Sequence, residues 1–298
     1  MVLRPQWKLP PPKEWPPILE RLGELAQRGR APMRTVISEG YQQAYHERSG
    51  VNTDTFQSTA DPSFIANMVS ICMAEQLHLG SRRTGGTYGA VHVADDMELL
   101  RPLRFDEPLV ITLGDAHAAP HPKGTVSTFP VSVTDASGAL VMRLQRQGLE
   151  LRPGAPRAKA APQEAERASV DPRAGRTRVS STAFTPDMVA GYCWHGTNAI
   201  HSDVETATAF GYPAPIWSGI QGMHLTMAAL YSLGVPQTLR ARFTFRRPVF
   251  WTDTVELWAP ADMGARGGVG EYSLLFPSGK EAMSMVVEAA TFLPRPRL

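Results

Sequence analysis

Trp194-His195-Gly196-Thr197-Asn198-Ala199-Ile200-His201-Ser202-Asp203, followed at fixed spacing by Ala207, Gly211, Pro215-Ile216 and Gly219, is the stretch on which the reading of this chain turns. It sets histidine, amide and acid side chains close together and then runs into a glycine that opens an apolar segment. An imidazole such as His201 takes and returns a proton near neutral pH. A helix starting at Gly219 would present free N–H groups to a developing negative charge. Glycine there also lets a substrate come close to the backbone. Asp203 reads as the cap of the segment 204–210 rather than as a reacting group.

The segment after Gly219 repeats Ile216, Ile220, Met223, Met227 and Leu230 at alternating four- and three-residue steps, which predicts a helix over 219–233 with Ser218 as its cap. A second helix is expected over 62–79, where Phe64, Met68 and Cys72 form one row and Ile65, Val69 and Met73 the next. Asp61 is its N-cap, and Pro62 takes the first helical position. Each helix precedes strand-like runs of period two. Phe129, Val131 and Val133 alternate with small or polar residues, as do Leu140, Met142 and Leu144. In the second half Leu239, Ala241, Phe243 and Phe245 alternate with Arg240, Arg242, Thr244 and Arg246. Alternation of this kind means sheets with one buried face and one wet face.

The two halves look like copies of one unit. Met97-Glu98-Leu99-Leu100-Arg101-Pro102-Leu103 matches Phe243-Thr244-Phe245-Arg246-Arg247-Pro248-Val249, with Arg before Pro and an aliphatic after it in both. Each half then carries a hairpin signal, Asp135-Ala136-Ser137-Gly138 and Pro277-Ser278-Gly279-Lys280. The stretch between them, residues 152–176, is rich in Pro, Ala, Gly and charge and almost free of bulky apolar side chains, so it reads as a linker. The organisation expected is a Pro-rich N-terminal arm at 1–30, a first domain at 31–151, a linker at 152–177 and a second domain at 178–298.

The motif resembles the hydratase signature of the MaoC-like, R-specific enoyl-CoA hydratase family, with Asn198, His201, Asp203, Ala207, Gly211 and Gly219 in register. The resemblance is specific over about 198–222 and looser across both halves. It implies an α+β double hotdog, in which each of two antiparallel sheets wraps a long central helix. It implies a hydro-lyase that hydrates a 2-enoyl group or dehydrates a 3-hydroxyacyl group on an acyl-CoA or acyl-carrier-protein thioester. His201 would be the acid/base, the Gly219 N–H the oxyanion donor, and Asn198 would orient the loop. His195, Trp217 and Ser218 would line the substrate, and the first half would hold the acyl chain. The chain departs from the signature in three places. Gly196 stands where the family has its catalytic Asp, Ala199 replaces the usual Pro, and Ser218 replaces the His of the usual His-Gly pair. Loss of a positioned base typically costs on the order of 10²–10⁴ in rate. The missing carboxylate therefore leaves two further readings open: an isomerase or cyclase on a thioester, or a non-catalytic acyl-binding hotdog.

Bulk properties narrow the partners. With a net charge of +2 and no Lys/Arg block, neither nucleic acid nor an anionic membrane surface is expected. No apolar run approaches the roughly 20 residues that span a bilayer, and 1–17 has no apolar signal core, so a cytoplasmic protein is expected. The two cysteines, Cys72 and Cys193, lie far apart in apolar surroundings and read as free thiols, and no spacing of Cys or His points to a metal or a cofactor. A double hotdog already contains its own pseudo-dimer, and pairing of two such chains is compatible with it.

Overall fold

The computed structural model describes residues 32–57, 59–70, 90–122, 124–151, 171–193, 199–209 and 211–294. The expected N-terminal arm, the continuation of the first helix past Ser70 and residues 152–170 of the expected linker lie outside these residues. The first half runs β1 (Met33–Thr35), α1 (Glu39–Ser49), β2 (Thr59–Ala60), α2 (63–70), β3 (Ala90–Leu99), β4 (Leu103–Arg104), β5 (Leu109–Leu113), β6 (His117–His121), β7 (Gly124–Asp135) and β8 (Leu140–Leu151). The second runs β9 (Arg176–Ala183), α3 (Pro186–Tyr192), α4 (Val204–Ala209), α5 (Gly219–Tyr231), β10 (Gly234–Phe245), β11 (Thr254–Pro260), β12 (Gly270–Leu275) and β13 (Glu281–Pro294). Arg176 and Thr177, the last residues of the expected linker, already belong to β9.

One large antiparallel sheet follows the order β1-β5-β7-β8-β3-β10-β13-β12-β11-β9, with β6 hairpinned onto β7. The order is a palindrome: β1, β5, β7, β8 and β3 in one half answer β9, β11, β12, β13 and β10 in the other. The junction β3–β10 obeys the same symmetry. Met97 faces Ala241, and Asp95 faces Phe243. These two pairs exchange when Met97 is equated with Phe243, the correspondence the Arg-Pro repeat requires. Asp96 opposite Arg242 then marks the pseudo-two-fold axis.

The hairpins form where the turn chemistry places them. Gly138 and Gly279 take φ of 86° and 81°, and Asp135–Ala139 and Phe276–Lys280 close with backbone bonds of 3.0 and 2.9 Å. α2 starts under Asp61, whose Oδ1 accepts the Ser63 N–H at 2.8 Å. α5 packs on β10, β11, β12 and β13, with Gly222 against Met283 and Leu274, and its row Ile220, Met223, Met227 and Leu230 is buried, each 1% exposed or less.

That row accounts for only one face of α5. Gln221, His224 and Tyr231 form another row, and they too are buried, against the first half. Tyr231 meets Phe56, His224 meets Phe64, and Gln221 Nε2 donates to the Arg48 carbonyl at 3.0 Å. The apolar core is therefore continuous across both halves. A second buried polar link ties α2 to the sheet. Arg146 on β8 donates to both oxygens of Asp95 on β3 at 3.0 and 2.9 Å, and also to Ser70. Burial alone would raise the Asp95 carboxyl, but the Arg146 charge, helped by His92, outweighs it and brings it to about 2.

Arg146→Met leaves the buried Asp95 with His92 as its remaining ion-pair partner among the described residues, and urea unfolding at pH 7 should show a loss of about 3–5 kcal/mol. Because the carboxyl titrates at about 2 folded and 3.8 unfolded, its contribution is complete above about pH 4 and disappears as the pH falls toward 2. Wild type should lose that part of its stability in this window, and Asp95→Asn should not. Gln221→Leu strands the Ser218 N–H and the Arg48 carbonyl, and should cost about 1–3 kcal/mol in the same assay.

Candidate functional site

From Ala199 onward the motif brings His201 to the start of α5. Thr185 caps α3 by accepting the Met188 N–H at 3.2 Å. Residues 199–201 form a single 3-10 turn. His201 Nδ1 lies 2.7 Å from the Ile216 carbonyl oxygen, and the Ile216 N–H donates back to Ile200 at 3.3 Å. Asp203 caps α4, its Oδ2 accepting the Thr206 N–H at 2.8 Å and the Thr206 hydroxyl at 2.6 Å. Gly211 then turns the chain with φ of 80°. Ile216 bridges Phe250, and the Trp217 N–H donates to Val249 at 2.8 Å. The chain reaches Gly219 already held on two sides.

This arrangement sets the tautomer of His201. A carbonyl oxygen only accepts, so Nδ1 carries the proton and Nε2 keeps its lone pair. Burial lowers the His201 pKa, and its backbone carbonyl contacts only partly offset that. The ring is therefore neutral at neutral pH. At α5, helix geometry leaves the first N–H groups, that of Gly219 among them, without an intrahelical acceptor. The Ser218 N–H is taken by Gln221 Oε1 at 3.1 Å.

Among the other expected site residues, Asn198, His195 and Gly196 lie outside the described residues. Trp217 is 4% exposed and sits edge-on to Phe184 at 5.2 Å between ring centroids, so it braces the helix start. Ser218 is half-buried at the N-cap. Gly219 is needed for packing as well as access: a Cβ there would come within 2.7 Å of the Phe245 ring. Phe245 in turn stacks on His92 of the first half at 4.2 Å, so both halves reach the start of α5.

A second constellation was not legible in the sequence as a site. His46 of α1, Asp61 before α2, and Ser63, Tyr192 and His224 meet in the interior. His46, Asp61, Ser63, His224 and Tyr192 are all fully buried. Asp61 Oδ2 lies 3.1 Å from His46 Nε2 and 2.7 Å from His224 Nδ1. Ser63 Oγ lies 2.6 Å from Asp61 Oδ1 and 2.7 Å from His224 Nδ1, and the Tyr192 hydroxyl lies 2.8 Å from His224 Nε2. The serine, histidine and acid touch one another without forming a nucleophilic triad. Both Ser63 and Asp61 meet the same imidazole nitrogen, whereas a triad needs the acid on the opposite one. Burial raises the Asp61 carboxyl, but the two imidazoles outweigh this and hold it far below the usual carboxylate range. Burial lowers His46. Sequence reading found Asp61 only as a helix cap. The one available signal was His224, a polar residue inside a helix apolar around most of its circumference.

No protein-family model and no curated protein matches the sequence. Solved structures do match in shape. A MaoC-like dehydratase from Phytophthora capsici is 16% identical with a TM-score of 0.62, over 88% of this chain and 95% of that one. HtdX from Mycobacterium tuberculosis is 16% identical with a TM-score of 0.61, over 85% and 97%. A further Mycobacterium tuberculosis protein, described as a double hotdog, is 15% identical with a TM-score of 0.52, over 85% and 92%. At such identities the likeness is one of fold. The helix-in-sheet unit, built twice about a pseudo-two-fold axis, agrees with it, and the chain has a double hotdog fold that it shares with MaoC-like dehydratases.

Proposed function

We propose that the protein is an acyl-thioester dehydratase or hydratase of the MaoC-like type, acting on a 3-hydroxyacyl or 2-enoyl group carried by CoA or an acyl carrier protein. The observation that carries the reading is the 2.7 Å contact between His201 Nδ1 and the Ile216 carbonyl, two residues before the N-cap of α5. It locks a neutral imidazole, with Nε2 free to accept a proton, beside a helix start able to bind an oxyanion. In hydration, Nε2 takes a proton from water as the oxygen bonds to Cβ of the enoyl thioester. The electron pair moves to the thioester oxygen, where the Gly219 N–H receives the charge. The imidazolium then returns a proton to Cα. Dehydration is the reverse. Asn198 orients the site and His195 lines the substrate, Trp217 and Ser218 hold the helix start, and the first half accommodates the acyl chain.

With Gly196 in the place of an acid, His201 handles both proton transfers. His201→Ala should lower turnover of a 2-enoyl-CoA by about 10²–10⁴-fold without changing the fold. Gly196→Asp should raise it. Following enoyl absorbance with crotonyl-CoA and longer 2-enoyl-CoAs, and with the matching acyl-carrier-protein thioesters, checks both. Equal rates in wild type and His201→Ala, or thioester binding without turnover, would sink the reading.

A further inference from the structure

The Asp61 carboxylate lies between the two halves with no exposure. Among the described residues its ion-pair partners are His46 and His224 alone. Arg146, also buried, is paired with Asp95. Phe56 stacks on His46 at 4.5 Å, and Phe64 on His224 at 4.6 Å, so apolar rings wall the cluster. An ionised carboxylate out of water needs a compensating cation. Asp61 Oδ2 stands between His46 Nε2 at 3.1 Å and His224 Nδ1 at 2.7 Å, and two imidazole nitrogens with a carboxylate oxygen make a donor set for one.

We propose that His46 Nε2, Asp61 Oδ2 and His224 Nδ1, with Ser63 Oγ beside them, form a structural site for a divalent transition-metal ion of the zinc class, joining the two halves. The three donor atoms lie within 4.8 Å of one another. Zinc takes imidazole nitrogen at about 2.0–2.1 Å and carboxylate oxygen at about 2.0–2.2 Å in a tetrahedron, which sets neighbouring donors about 3.3 Å apart. The contacts of 3.1 and 2.7 Å need only a few tenths of an ångström of opening. Two nitrogens and hard oxygens favour zinc over calcium or magnesium, which prefer all-oxygen shells. The ligands come from α1, the turn before α2 and α5, so from both halves, and all are buried.

The surroundings fit that role. With Nδ1 on the metal, His224 Nε2 carries the proton and donates to the Tyr192 hydroxyl oxygen at 2.8 Å, an outer contact that fixes ring and tautomer. The Asp61 N–H donates to Gln42 Oε1 at 2.6 Å, and Asp61 Oδ1 is held by the Ser63 N–H at 2.8 Å. Any proton held there leaves to solvent as the cation enters.

The test uses the full chain, stripped with a chelator and dialysed. Zinc uptake is read by elemental analysis and by the shift in thermal unfolding, and Co2+ substitution by visible absorption. The site predicts one tightly held equivalent, a higher unfolding temperature with zinc, and a tetrahedral Co2+ spectrum. Asp61→Asn and His46→Gln should lose the equivalent, whereas His117→Ala, on an exposed strand, should keep it. Tyr192→Phe removes one hydroxyl and should bind zinc about 10–100-fold more weakly, a change that a purely structural hydrogen bond would not produce. If the ligand variants do not fold, wild type and Tyr192→Phe still decide. A stripped wild type that takes up no stoichiometric zinc or cobalt overturns the proposal, and so does uptake unchanged in Asp61→Asn or in Tyr192→Phe. The charge on Asp61 would then be balanced by a proton on an imidazole.

Discussion

The second face of α5 draws partners from both halves of the chain. Its first face meets four strands of the second-half sheet and needs only apolar side chains. On the other face Gln221, His224 and Tyr231 are buried as well, and a buried polar group without a partner is costly. Gln221 bonds the Arg48 carbonyl and His224 meets Asp61 and Ser63 in the first half, besides Ser218 and Tyr192 in their own, while Tyr231 packs on Phe56 of the first half. The two units therefore share one interior. The β3–β10 pairing that makes their sheets continuous sets the distance at which those contacts form.

Within this shared interior the two central helices use their N-termini differently. At α2 the positive end is occupied by the chain itself, since the Asp61 carboxylate takes the Ser63 N–H. At α5 the cap is Ser218, whose own N–H is tied to Gln221, and the helix's own first turn holds no acidic side chain. A single substitution pattern thus separates the halves. The first helix start is filled and tied into the buried cluster, and the second is left able to receive an external oxygen. This asymmetry, together with the position of His201, places the proposed chemistry in the second half.

The features readable from the sequence were those written in local periods. The helical rows around Met223 and Phe64, the alternation through Val131 and Phe243, the two Gly-bearing hairpins and the paired Arg-Pro dipeptides each depend on neighbours a few residues apart. The cap role of Asp203 was legible for the same reason. The His46–Asp61–His224 cluster was not, because its members come from three elements and no local spacing brings them together. The second face of α5 was hidden too: Gln221 and His224 look like the wet side of a helix until the other half covers them. The Ile216 carbonyl under His201 is a backbone atom, so no side-chain pattern announces it.

The pair on the pseudo-two-fold axis, Asp96 opposite Arg242 with 3.6 Å between charged atoms, has a consequence for the ancestry of the chain. In a dimer of identical subunits, a residue on the axis meets its own copy. An acid there faces an acid and a base faces a base, so no ion pair can stand at that point. Joining two copies in one polypeptide lifts that restriction, and the two sides of the axis are free to become opposites. The same freedom extends to every pair of equivalent positions. An acid can cap one central helix and a serine the other without each change being imposed on both.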